Sequence, residues 1–153
     1  MNILVSACLL GISCKYDGGS NLCPELIALT ERPDIHLIPF CPEVYGGLPT
    51  PRVPSELLSA VPLQVVSSQG TDVTAAFSRG AEEALRVAHL YHCTAAILKE
   101  RSPSCGHGRI YDGTFQHRVI AGDGVTASLL AADGIRIYGE SQIAAFLTES
   151  HIL

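Results

Sequence analysis

The 153-residue sequence predicts an α/β fold. It reads as one domain spanning residues 1–153, with a mainly parallel sheet of about four to five strands and helices on both faces, a Rossmann-like arrangement. Three observations predict it. Short apolar runs alternate with stretches of helical periodicity, the pattern of strand–helix–strand units. That pattern runs from end to end without repeat, low-complexity segment or linker, and a chain of this length is most simply one domain. The composition, 47% hydrophobic and 16% charged with 14 Gly and 9 Pro, is that of a compact chain rich in turns. A domain of this size buries roughly 68–70% of its unfolded surface, enough for a real core.

Each element has its own signal. Residues 2–6 form a short apolar first strand. The segment that follows, from Cys8 to Asn21, is long for a strand-to-helix connection, which usually takes about 2–6 residues. Within it Asp17-Gly18-Gly19 marks a turn. Pro24 suits a first helical position and Glu25 complements the positive helix end, so a helix is expected over 24–31. It ends before Pro33, because the residue preceding proline disfavours helical geometry. Residues 35–40 read as the second strand, followed by a Pro- and Gly-rich segment from Cys41 to Arg52. Leu63-Gln64-Val65-Val66 reads as a short edge strand. Asp72 or Thr71 caps a helix over 72–92, on which Val73, Ala76, Phe77, Ala81, Ala84, Leu85 and Ala88 recur at helical spacing. A third strand over 94–99, a helix over 124–132, a fourth strand over 135–138 and a helix over 140–149 complete the chain. Crossovers between parallel strands should be right-handed.

The formal net charge of −5 lacks the basic footprint that phosphate binding needs. Intact nucleic acid is therefore disfavoured, and a small, weakly charged ligand fits better. No apolar run approaches the ~20 residues of a membrane span. No secretory signal opens the sequence, so the protein is expected in the cytosol.

Six cysteines stand at 8, 14, 23, 41, 93 and 105. Cytosolic thiols are kept reduced, so metal binding or catalysis outranks a disulfide framework. None of them has Cys-x-x-Cys spacing, and any metal site must be assembled from distant segments. Cys8, Cys41 and Cys105 each follow an expected strand, and ligands of open α/β sheets bind beyond the carboxyl ends of the strands. These three are the candidate metal ligands. Cys93, at a helix-to-strand junction, reads as a small buried hydrophobe. Cys14 and Cys23 flank the first long loop, in structural or supporting roles. Thiolates favour zinc, copper(I) or iron–sulfur clusters. A closed structural zinc takes four ligands, whereas three leave an open position. On a cubane cluster, three cysteines hold three irons and leave the fourth for substrate.

Further motifs sharpen this. Ser6-Ala7-Cys8-Leu9-Leu10-Gly11, Cys14-Lys15-Tyr16-Asp17-Gly18, Cys41-Pro42-Glu43 with Gly46-Gly47-Leu48 and Pro51-Arg52, Gly70-Thr71-Asp72-Val73-Thr74 and Ser102-Pro103-Ser104-Cys105-Gly106 together resemble the DUF523 family, over about residues 2–135. Its characterised members are thiouracil desulfurases. The resemblance implies a [4Fe-4S] cluster bound by Cys8, Cys41 and Cys105. It implies conversion of 2-thiouracil, or a related small thiolated pyrimidine, to uracil with release of sulfide, the substrate sulfur binding the open iron.

A water must then attack C2, so a base is needed. Glu43, two residues after a ligand, is the candidate; as a loop carboxylate it would instead pair with Arg52. Ser102 and Ser104 are candidates to donate protons to the departing sulfur or the pyrimidine, or else shape the turn. Lys15, Asp17 and Asp112 lie in loops on the expected reactive rim and are candidate substrate-binding groups, or else fix those loops. His107 neighbours a proposed ligand. Two other functions remain open: a noncatalytic iron–sulfur or zinc binding or sensor module, and a metal-free persulfide sulfurtransferase with Cys105 as nucleophile.

Overall fold

The structure is a computed structural model that describes residues 1–152. In chain order its elements are β1 (Asn2–Ser6), α1 (Pro24–Leu29), β2 (His36–Phe40), α2 (Pro42–Tyr45), β3 (Ser55–Ala60), β4 (Leu63–Ser67), α3 (Thr74–Leu90), β5 (Ala95–Leu98), β6 (Arg109–Tyr111), β7 (Val119–Ala121), α4 (Val125–Ala132), β8 (Arg136–Gly139) and α5 (Ile143–Glu149), with 3-10 turns at Ala7–Leu10 and Glu140–Gln142. Four strands form one parallel sheet in the order β2-β1-β5-β8. The α/β class and the parallel sheet match the expectation from sequence.

The central strands β1 and β5 are apolar runs because both of their faces are covered. Alternate side chains of a strand point to opposite faces. Ile3, Val5, Ala95 and Ile97 therefore join Leu26 of α1 and Phe146 of α5 in one core layer. Leu4, Ala96 and Leu98 join Ala84 and Ala88 of α3 and Leu130 of α4 in the other. Pro39 is tolerated because β2 is an edge strand, where a missing N–H need not cost a ladder bond.

Helix α3 is expected over 72–92 and runs from Thr74 to Leu90. Asp72 does serve its start: Oδ1 accepts the Thr74 N–H at 2.9 Å. The Thr74 hydroxyl oxygen accepts the Val65 N–H at 2.9 Å, tying β4 to the helix. Short α2 lies on α3 with two glycines between them. A Cβ on Gly80 would stand 2.0 Å from the Pro42 carbonyl oxygen, and one on Gly46 the same distance from that of Ala76. Backbone thus touches backbone. Arg79 adds a bond from Nη2 to Gly46 O at 2.9 Å.

Two features differ from expectation. The segment 63–66 is not a lone edge strand but half of an antiparallel hairpin with β3. A second hairpin, β6 with β7, has no sequence signal, and β7 is exposed along its length. Neither β3 (Ser-Glu-Leu-Leu-Ser-Ala) nor β6 shows the β-branched alternation that marks a strand; pairing with a neighbour makes them strands. No helix among the described residues is long and apolar enough to cross a membrane.

Candidate active site

Strand order decides what meets. Strands β2, β1 and β5 are adjacent, and Cys41, Cys8 and Cys105 follow their carboxyl ends. All three thiols line one cavity of about 760 Å³ beyond the sheet, and the β3–β4 and β6–β7 hairpins contribute to its far wall through Ser55, Glu56 and Tyr111.

Each thiol is held by a different local device. Cys8 sits in the 3-10 turn Ala7–Leu10, which Gly11 closes at φ +86, in the left-handed region that favours glycine. The long loop then folds back, with the Asn21 N–H donating to Cys8 O at 2.9 Å. Cys41 is the residue before α2, and Pro42 takes the first helical position. The Cys105 loop is built by Ser102, whose Oγ accepts the N–H groups of Ser104 at 3.2 Å and Cys105 at 3.1 Å. The first turn of α4 secures that loop: Val125 N–H donates to Pro103 O at 3.0 Å and Thr126 N–H to Ser104 O at 2.8 Å.

A hydrogen-bond chain leaves Cys105 toward Cys41. Ser104, 1% exposed, donates its hydroxyl to Glu43 Oε2 at 2.9 Å. With its one proton committed there, Ser104 accepts from Ser102, whose Oγ is 3.0 Å away. Glu43 Oε1 accepts from Arg52 Nε at 3.2 Å. The ion pair with Arg52 and the position in the cavity wall, open alternatives from the sequence, hold together.

The thiols differ in acidity. Burial pushes Cys105 up to about 12. Burial also raises Cys8, opposed by a hydrogen bond from Asn21. Cys41 is held down to about 6, first by its hydrogen bond with the Cys14 thiol, which is itself driven upward by the same contact. Charge on Cys41 opposes ionisation of Cys8, and charge on Cys8 opposes that of Cys105. These charges oppose having all three groups as thiolates at once, and metal binding, which displaces thiol protons, would favour that form. A set of three thiols is a donor set that iron–sulfur clusters accept.

The other candidates divide. Lys15 lines the cavity and pairs with Asp17 at 3.5 Å. Asp17 and Asp112 are not among the lining residues. Asp17 Oδ1 accepts the Gly19 N–H at 2.9 Å and Asp112 Oδ1 the Thr114 N–H at 3.0 Å, so both build turns. His107 pairs with Asp123 at 3.2 Å outside the cavity. Cys14 is buried in the cavity wall, Cys23 donates to Glu25 Oε2 at 3.3 Å away from it, and Cys93 is core.

Sequence reasoning missed the hairpin side of the cavity. Glu56, 8% exposed, accepts the N–H groups of Gly113 at 3.0 Å and Phe115 at 3.1 Å, fixing the loop that brings Phe115 and His117 to the cavity. With β3 unrecognised, nothing pointed to Glu56. Lys99 and Glu140, paired at 2.6 Å, also line the cavity, at the ends of β5 and β8.

The same residues have relatives. The Bacillus subtilis (strain 168) protein YbbK, described as uncharacterised, is 39% identical across 92% of this chain and 97% of its own. The solved structure of TudS (DUF523Vcz), described as a [4Fe-4S]-dependent thiouracil desulfidase, superposes with a TM-score of 0.90 at 44% identity, covering 99% of each chain. The family model described as 2-thiouracil desulfurase matches residues 3–142, across the sheet and all three cysteine loops. The chain belongs to the 2-thiouracil desulfurase family.

Proposed function

We propose that this protein hydrolyses the thiocarbonyl of a small thiolated pyrimidine such as 2-thiouracil, giving uracil and sulfide, with a [4Fe-4S] cluster held by Cys8, Cys41 and Cys105. The observation that carries the reading is the convergence of those three thiols with the Ser102–Ser104–Glu43 chain on one cavity. Family membership and the description of TudS support it. When bound, the cluster supplies a thiophilic Lewis acid at the iron that no cysteine holds.

The chain's own groups do the rest. Water replaces sulfur at the ring carbon: one C–O bond forms, the C–S bond breaks, and no net electrons are exchanged. Glu43 takes the proton from the attacking water. Ser104 and Ser102 pass a proton along their hydroxyls to the departing sulfur or the ring nitrogen. Lys15 offers a donor to the carbonyl edge of the pyrimidine.

The test is anaerobic reconstitution with iron and sulfide, followed by iron count, absorption spectrum and uracil formation from 2-thiouracil. About four irons per chain and turnover are expected, with Cys8→Ser, Cys41→Ser and Cys105→Ser each losing both. Turnover by iron-free protein that tolerates Cys8→Ser would point to the sulfurtransferase reading. Metal uptake without turnover would point to a binding module.

A further inference from the structure

We infer that Arg52 is a positioning residue for this reaction: it fixes the Glu43 carboxylate relative to the Cys14 segment and the Cys41 thiol, and it acts on turnover through Glu43. The inference rests on the desulfurase reading of the cavity.

The Arg52 side chain is 7% exposed, and its guanidinium is bonded on every side. Nε donates to Glu43 Oε1 at 3.2 Å. Nη2 donates to Cys14 O at 2.9 Å. Nη1 donates to Thr50 Oγ1 at 3.0 Å and Pro49 O at 3.2 Å. The Arg52 backbone N–H adds a bond to Tyr16 O at 2.7 Å. One planar group thus joins the two long loops, with Cys14 and Tyr16 on one side and Glu43, Pro49 and Thr50 on the other.

Its two ends bear directly on the chemistry. The same Cys14 carbonyl lies 3.9 Å from Cys41 Sγ, so the guanidinium spans from beside a cluster ligand to the proposed base. Glu43 is gripped at Oε1 by Arg52 and at Oε2 by Ser104, which leaves its carboxylate one orientation. A lysine would bring the charge but not the fork, and would satisfy only part of this set. A loop tie without a role in turnover would affect folding or metal uptake regardless of what stands at 43. A positioning residue must instead lose its effect once Glu43 is gone.

The experiment compares reconstituted wild type, R52A, R52K, E43Q and R52A/E43Q by iron per chain, urea midpoint, kcat and KM with 2-thiouracil. R52A is expected to lower kcat about 100-fold, the scale of an ångström of misplacement, with iron at the wild-type level and KM within about threefold. In the E43Q background the same change should lower kcat by less than about threefold. R52K should recover part of kcat. Equal R52A effects in both backgrounds, loss of iron, or a change confined to KM would overturn the inference. So would R52K at wild-type kcat, a result that stands even if R52A does not fold. Wild-type holoprotein without turnover would refute the desulfurase reading itself, and with it this inference.

Discussion

Gly80→Ala should disable the cavity from behind. Gly80 is on α3, packed against α2 and outside the cavity lining. A Cβ there would lie 2.0 Å from Pro42 O and 2.7 Å from Pro42 C, whereas real Cβ contacts do not fall below 3.0 Å. The two backbones must therefore part by about 1 Å. Alanine in a helix interior otherwise gains about 1 kcal/mol over glycine. Overpacking costs about 1–3 kcal/mol. The net loss is about 2 kcal/mol at most, which in a domain of this size lowers Tm by roughly 4–8 °C. Turnover should suffer far more. Pro42 is flanked by Cys41 and Glu43, so the clash moves a proposed ligand and the proposed base together, and about 1 Å of misplacement costs about 100-fold. Thermal unfolding and turnover of the reconstituted variant measure both. A variant with wild-type turnover, or with turnover reduced only in proportion to stability, would refute the argument that the α2–α3 contact sets the site.

Three further outcomes follow from the geometry. Glu43→Gln should lower kcat by about 10²–10⁴ with iron content unchanged, the range of a lost general base, as read by initial rates and metal analysis. In metal-free protein, iodoacetamide should label Cys41 first, with a rate that rises as pH increases through about 6, while Cys105, held up to about 12, stays unlabelled until far more alkaline pH; peptide mapping reads both. Glu56→Ala should leave the Gly113 and Phe115 amides without their acceptor, costing about 1–3 kcal/mol, and hydrogen exchange at those two amides should rise, whereas Glu56→Gln keeps them protected.

What could be read from the sequence depended on whether the signal was local. Strands β1 and β5 announced themselves as apolar runs because parallel strands are covered on both faces, and α3 by apolar residues recurring at helical spacing. The thiols were legible because each follows such a run. Whether Glu43 was a paired carboxylate or a cavity group was not legible, because both are true and the partners, Arg52 and Ser104, come from separate loops. Asp17 and Asp112 stood in the right loops but serve Gly19 and Thr114, an Asx geometry that sequence spacing alone does not separate from a ligand contact. The hairpin wall was invisible for a further reason: β3 and β6 owe their extended form to partners elsewhere in the chain, so Glu56, Phe115 and His117 carried no advance notice.

The strand order has a consequence for biogenesis. The central strand β1 is made first, but its second sheet partner, β5, is synthesised only after β4 and α3. A nascent chain that has emerged as far as β4 offers Cys8 and Cys41 but not Cys105, and has no neighbour to complete the rim. The three-thiol set is thus a product of sheet closure over long chain separations, a slow kind of contact to form. All three cysteines are therefore in place together only once β5 and the loop that follows it have been made.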